Sequence, residues 1–308
     1  MGKNLKTTSV SQNKKVRHIT VLIISSNFDP ASINIKNHLL KLTNWEEINT
    51  FNQNSVYQNE ESKNIIIITI NDRKITHENL EEEVKDKLGI NPEQAIFISR
   101  HTSKTMEPTL TVHPIGNYGT AEFGGKNKTL VKSSPKIMTN LLRILNQKAI
   151  KEKLYHKICF EVTHHGPYMN IPTLFIEVGS SKEEWVKNKP AEVVAKSLIE
   201  HLKEYLYEED MPKDTQVILG IGGGHYAPRF TDVAFEKNVA FGHMIPKYQI
   251  DAGNIDDEML EQAIKKTPNI KGVYFHRKSL KKSQIREYKQ WFDKKNIPMI
   301  SSKELADL

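Results

Sequence analysis

The sequence predicts an α/β fold: a mostly parallel mixed sheet with helices on both faces. Three observations carry this. Several segments are continuous apolar runs, such as ITVLIISS at 19–26 and NIIIITI at 64–70, the composition of strands buried on both faces. These runs alternate with segments of helical period. The least regular stretches, NFDPAS, HTSKTMEPTLTVHPIGNYG, HHGPYMN and GGGHYAP, each follow a strand, where α/β folds build their sites.

Taken in order, residues 1–16 read as a disordered basic tail and 17–308 as one α/β domain with long loops. The start is polar and carries no apolar segment, so it is not a secretory signal. After the 19–26 strand, INIKNHLLKL suits a helix that Ser32 would cap. The 64–70 strand precedes LEEEVKDKLG, a helix ending at a glycine. QAIFISRH (94–101) is a third strand. Residues 102–125 are rich in Thr, Gly, Pro and His, without a period, and read as a long functional loop. KIMTNLLRILNQKAI is an amphipathic helix, ICFEVTHHG and PTLFIEVGS are strands, and AEVVAKSLIEHLKEYLYE is a long helix. QVILGIGGG is a strand running into glycines, VAFGHMI a short strand, and EMLEQAIKKT, IKGVYFH and SLKKSQIREYKQWFDKK a helix, a strand and a helix. MISSKEL reads as a last short strand.

Hydrophobic residues make up 38% and charged residues 26% of 308, which permits a sizeable core and excludes wholesale disorder. The net charge of +7 suits a polyanionic partner, and equally a solvated lysine-rich surface. The single cysteine, Cys159, excludes an internal disulfide and a cysteine metal site, and its apolar run marks it as structural. IIII at 65–68 is far too short to span a bilayer. A reducing, cytoplasmic setting is expected.

The chemistry gathers in the loops. His101, His113, His164 and His225 all sit at strand ends, with His243 a further candidate. Histidine both moves protons near neutral pH and binds metals. His165 adjoins His164, and in an extended segment the two rings point to opposite faces. GIGGGHYAPRF has glycines at 220, 222, 223 and 224, but position 225 is His, so G-x-G-x-x-G fails and no P-loop is present. Gly222, Gly223 and Gly224 are expected to form a nest of N–H groups for a phosphate, a carboxylate or a developing oxyanion. Glu177 lies in an apolar strand where a charge needs a partner or a task, and Glu161, Glu122 and Asp29 lie near other loops. There is no H-E-x-x-H and no G-x-S-x-G, which favours water activated by histidine or metal over a covalent serine. Arg100 and Lys104 flank His101 as anion binders, and Arg229 is a planar fork suited to phosphate. Tyr118, Tyr168 and Tyr226 lie in candidate loops.

Four stretches carry a resemblance: SSNFDPASINIKNHL, SRHTSKTMEPTLTVHPIGNYGTAEFGG, EVTHHGPYMNIPTLFIEVGSS, and GIGGGHYAPRFT with the later GHMIPKY. From about Arg17 onward the chain resembles the D-aminoacyl-tRNA deacylases of archaea and plants, a family distinct from the smaller D-tyrosyl-tRNA deacylases. The resemblance implies a phosphorylase/hydrolase-like α/β fold, shared with peptidyl-tRNA hydrolases. It implies hydrolysis of the ester joining a D-amino acid to the 3′-terminal adenosine of tRNA, with Zn2+ as cofactor.

For that activity His113, His164, His225 and Glu177 are the expected catalytic groups. His101, Lys104, Gly222, Gly223, Gly224, Tyr226 and Arg229 would bind substrate, the close glycine backbone excluding an L side chain. His164, His225 and His243 would bind the metal. The partner would be a tRNA acceptor end, met by a monomer with no membrane attachment. The alternatives are a peptidyl-tRNA hydrolase-like or metallo-amidohydrolase activity, and a non-catalytic tRNA-binding module.

Overall fold

A computed structural model describes residues 19–206 and 211–308. The expected tail at 1–16 and the expected helix end at 207–208 lie outside the described residues. The strands of the N-terminal half are β1 (Val21–Ser26), β2 (Trp45–Phe51), β3 (Asn54–Asn59), β4 (Ile65–Ile70), β5 (Gln94–Arg100) and β6 (Thr109–Pro114). Then come β7 (Gly116–Asn117), β8 (Thr129–Leu130), β9 (Lys157–Phe160) and β10 (Thr173–Gly179). The C-terminal part adds β11 (Gln216–Ile221), β12 (Val239–Ile245) and β13 (Ile270–Phe275).

The main sheet has the order β2-β3-β4-β1-β5-β10-β6-β9. Its centre, β4-β1-β5-β10, is parallel, and β6 runs antiparallel to β10. A second, wholly parallel sheet has the order β12-β11-β13. The fold is thus α/β with mostly parallel strands, as expected.

The continuous apolar runs have a simple cause. Val21, Ile23, Ile65, Ile67, Ile96 and Ile98 face one core with the helices Pro30–Leu42, Pro135–Lys151 and Asn188–Leu206. Leu22, Ile24, Ile66, Ile68 and Phe97 face the other, against Leu80 and Val84 of the helix Leu80–Leu88. Both faces are covered, so no polar alternation is allowed, and each such side chain contributes about 1.5–3 kcal/mol of burial. The first core extends to Ile218 and Phe241 of the second sheet and to Phe230 of the helix Pro228–Glu236. Among the described residues no helix is long and apolar enough to cross a membrane.

Three expectations change, and one element is new. The helix Pro30–Leu42 starts before Ser32 and is capped by Asp29, whose Oδ1 accepts from Ser32 N at 3.0 Å. The expected loop 102–125 contains β6, held by antiparallel pairing to β10. MISSKEL forms no strand; Met299 makes an isolated bridge to Val273, whose carbonyl accepts from Ile300 N at 2.9 Å, and the chain turns at 302–304. The β2–β3 hairpin was not foreseen, because its outer strand is exposed at Glu46, Glu47, Ile48, Asn49 and Thr50 and shows no apolar alternation.

Candidate active site

β9 ends at Phe160, and the next residue, Glu161, is fully buried. Three histidines approach its carboxylate. His225 Nε2 lies 2.9 Å from Oε2, His101 Nδ1 3.1 Å from Oε1, and His164 Nε2 3.5 Å from Oε2. A second buried carboxylate, Glu177, lies 3.4 Å from His101 Nδ1 and 3.8 Å from His113 Nε2. Register explains the second pairing. Phe175 faces His113 and Glu177 faces Thr111 across β10 and β6, so Glu177 and His113 are diagonal neighbours on one face.

The segment after Glu161 stitches the two sheets together. Val162 N donates to His225 O and Thr163 N to Met244 O. It also carries His164 and His165. The expectation that these rings point apart fails, because His165 is not extended: its φ is +44°. Both rings turn inward, 4.4 Å apart, and stand 4.3 and 4.9 Å from His113.

The charges in this cluster are unequal. Burial works against a proton on His101, but Glu177 and Glu161 outweigh it and raise its pKa to about 10. Burial likewise opposes charge on the two carboxylates, and the surrounding histidines hold Glu161 below, and Glu177 well below, the usual range. His164 and His165 go the other way. Burial first, and then the neighbouring imidazoles, depress His164 strongly and take His165 to about 4. At neutral pH the centre therefore combines ionised carboxylates, a His101 cation and two neutral imidazoles.

Donors for a metal are abundant. Three sets have their ligand atoms within 4.8 Å of one another: His113/His164/His165, His101/Glu161/His225 and His113/Glu161/Glu177. The first set has a further property. His113 Nδ1 faces Pro114 O at 3.2 Å, His164 Nδ1 faces Val162 O at 2.8 Å, and His165 Nδ1 faces Gly166 O at 2.6 Å. A backbone carbonyl on Nδ1–H fixes the tautomer and leaves Nε2 as a lone-pair donor, the outer-shell arrangement of metal-binding histidines. The buried His113 Nε2 and both Glu161 oxygens also lack an aligned hydrogen-bond donor. The residues present fit a Zn2+ ion.

Five residues of the cluster, His101, His164, His165, Glu177 and His225, line a cleft of about 470 Å³. Lys74 and Asp29 line the same cleft as an ion pair with both partners buried. Asp29 Oδ2 also accepts from Arg100 N at 2.9 Å, tying the end of β5 to the loop after β1. Arg100 lines this cleft and packs over the Trp185 ring at 5.0 Å.

The remaining predicted residues are placed as follows. Tyr226 Oη meets His101 Nε2 at 3.1 Å. Lys104 is exposed and does not line the cleft. His243 is not brought to the cluster: it is fully buried, with Nδ1 on Thr163 Oγ1 at 3.1 Å and Nε2 on Val131 O at 2.9 Å. Arg229 lines a different cavity.

The glycine nest does not form as expected. Gly222 N donates to Ile245 O and Gly223 N to Ser279 Oγ, both at 2.8 Å, and none of the three glycines lines the cleft. Gly222 is needed for the turn itself. Its φ is +99°, and a Cβ there would lie 2.6 Å from Ser279 Oγ. Gly222→Ala is expected to cost about 1–3 kcal/mol. An unchanged melting temperature would contradict that.

Sequence reasoning passed over Lys74, which carries no local signal, and did not assign Glu161. Glu161 shows the same signal as Glu177, a carboxylate in an apolar run.

Histidines and carboxylates converging in an open cleft beside parallel strand ends define an α/β hydrolytic enzyme. The sequence pattern of D-aminoacyl-tRNA deacylases matches residues 88–300. A D-aminoacyl-tRNA deacylase from Pyrococcus furiosus is 37% identical over 256 residues, 82% of this chain and 89% of the relative. One from Methanosarcina acetivorans is 33% identical over 300 residues, 96% of each chain. The crystal structure of a conserved protein of unknown function superposes with a TM-score of 0.82 at 31% identity, covering 94% of this chain and 97% of that one. The chain belongs to the D-aminoacyl-tRNA deacylase family.

Proposed function

We propose that this protein hydrolyses the ester between a D-amino acid and the 3′-terminal adenosine of tRNA, releasing both and keeping D-residues out of translation. The observation that carries the reading is the convergence of five histidines, His101, His113, His164, His165 and His225, on two buried carboxylates. Family membership supplies the substrate class. The substrate is met in the cytoplasm, and the protein acts as a monomer.

His113, His164 and His165 would hold Zn2+ through Nε2. When bound, the ion supplies Lewis acidity, so hydrolysis near neutral pH needs no strong protein base. His225 handles the proton. Its side chain is 37% exposed, and its Nε2 lies 2.9 Å from Glu161 Oε2. It takes a proton from the attacking water and returns it to the departing ribose oxygen. His101 remains a cation between Glu161 and Glu177 and keeps both ionised. The charge that develops on the ester carbonyl meets His101 and Lys74 as fixed cations in the wall.

The test is deacylation of D-Tyr-tRNA and L-Tyr-tRNA side by side. Wild type is expected to release only the D-amino acid. His225→Ala should slow that about 10²-fold. Chelation should abolish the reaction, and added Zn2+ restore it. A protein that cleaves neither ester, with or without Zn2+, would sink the reading. Faster cleavage of an N-acylated aminoacyl-tRNA would replace it with a peptidyl-tRNA hydrolase.

A further inference from the structure

A second cavity, of about 540 Å³, opens beside β13 and shares no lining residue with the histidine cleft. Its wall includes Arg229, Asp232, Tyr274, His276, Arg277 and Lys278. Three side chains are fixed cations against one carboxylate. Arg229 is held in place by neutral groups: Nε donates to Tyr274 Oη at 2.9 Å and Nη2 to Ser302 Oγ at 3.3 Å. Among the described residues, none of Arg229, Arg277 and Lys278 is paired with a carboxylate, although Asp232 lines the same cavity. The field is felt locally. Burial, Arg229 and Lys278 push the His276 imidazole below its ordinary pKa, and Asp232 only partly opposes them.

The glycine loop joins this cavity to the active site. Gly223 N donates to Ser279 Oγ, which donates in turn to His276 O at 2.8 Å. On the same loop His225 reaches Glu161, and Arg229 follows four residues later. Four residues of chain separate their Cα atoms by no more than about 14 Å. The second cavity thus lies within reach of the nucleotides that adjoin a terminal one seated in the histidine cleft.

We infer that this cavity binds phosphodiester groups of the single-stranded acceptor end, just 5′ of the nucleotide whose ester is cleaved. Naming tRNA as the strand rests on the proposed reaction; the cationic site does not. The guanidinium fork of a pre-positioned arginine matches phosphate geometry. Such contacts fix register and carry no sequence information, as an enzyme acting on many tRNAs requires.

The probe is uncharged tRNA, with binding followed by fluorescence anisotropy across a range of salt. The variant is Arg277→Gln with Lys278→Gln, two exposed side chains whose loss leaves the Arg229–Tyr274 bond intact. Affinity at low salt is expected to fall about tenfold, and the salt slope to become shallower by about 1 to 1.5. A tRNA lacking its 3′-terminal trinucleotide should bind wild type and variant alike. Unchanged affinity and slope would overturn the inference. An equal loss on truncated tRNA would overturn the assignment to the single-stranded end. Because turnover is not read, a wild type that binds tRNA through these residues but cleaves no ester sinks the proposed reaction alone. An active enzyme indifferent to the variant sinks the site alone.

Discussion

Glu161→Gln is expected to lower kcat for D-aminoacyl-tRNA by about 10³–10⁴-fold while Zn2+ stays bound. The scale is that of replacing the carboxylate that orients a catalytic imidazole with an amide, which keeps the shape and loses the charge. At Glu161 the proton carrier His225, at 2.9 Å, meets the His101 cation, at 3.1 Å, and the proposed metal ligand His164, at 3.5 Å. The amide has one oxygen for two nitrogens, His225 Nε2 and His101 Nδ1, that face different oxygens of the carboxylate, so one of them meets N–H₂ instead of an acceptor. The pH dependence should move as well. Glu161 is one of the groups that hold the His101 pKa near 10. Without that charge His101 must lose its proton at lower pH, so the activity retained should decline earlier on the alkaline side than in wild type. Metal content separates this from collapse of the ligand set: Glu161→Gln keeps the ion, whereas His165→Ala, which removes a proposed ligand, loses it. A Glu161→Gln enzyme within tenfold of wild type would remove Glu161 from the reaction.

What the sequence made legible follows from which interactions are local. The apolar runs of β1, β4 and β5 announce burial on both faces because each residue independently meets a core. Glu177 was legible for the converse reason, as a charge that an apolar strand tolerates only with partners. Glu161 shows the same pattern in ICFEV, yet its importance depends on where β9 stops, and pairing with β6 decides that. The two adjacent histidines were misread because an alternating pattern presumes extended backbone, while His165 sits at positive φ. The glycine loop was assigned an anion because its N–H groups had no visible partner in sequence. Ile245 and Ser279, distant in the chain, take two of them. His243 fails in the same way, its ring spent on Thr163 and Val131. Residue type pointed to the chemistry, and long-range hydrogen bonds decided which candidates were free to perform it.

Asp29→Asn is expected to be the most destabilising conservative change in the cleft, by about 3–5 kcal/mol, with a melting temperature lower by roughly 5–10 °C. The asparagine can still cap the helix Pro30–Leu42 through Oδ1, so the cap is not what is lost. What is lost is the charge opposite Lys74. That ammonium is buried, burial already works against its proton, and Asp29 is the acceptor it bonds. Lys74→Met should cost less, because the remaining Asp29 carboxylate keeps Ser32 N at 3.0 Å, Arg100 N at 2.9 Å and Ser99 Oγ at 3.4 Å. The pair is thus asymmetric: the anion is solvated by the fold and the cation by the anion alone. Removing both charges in Asp29→Asn/Lys74→Met should recover part of the loss of Asp29→Asn, since no uncompensated buried ammonium remains. Denaturant melts of the three variants decide the matter. A Lys74→Met variant less stable than Asp29→Asn, or a double variant no better than Asp29→Asn, would show that the pair is not held in this way.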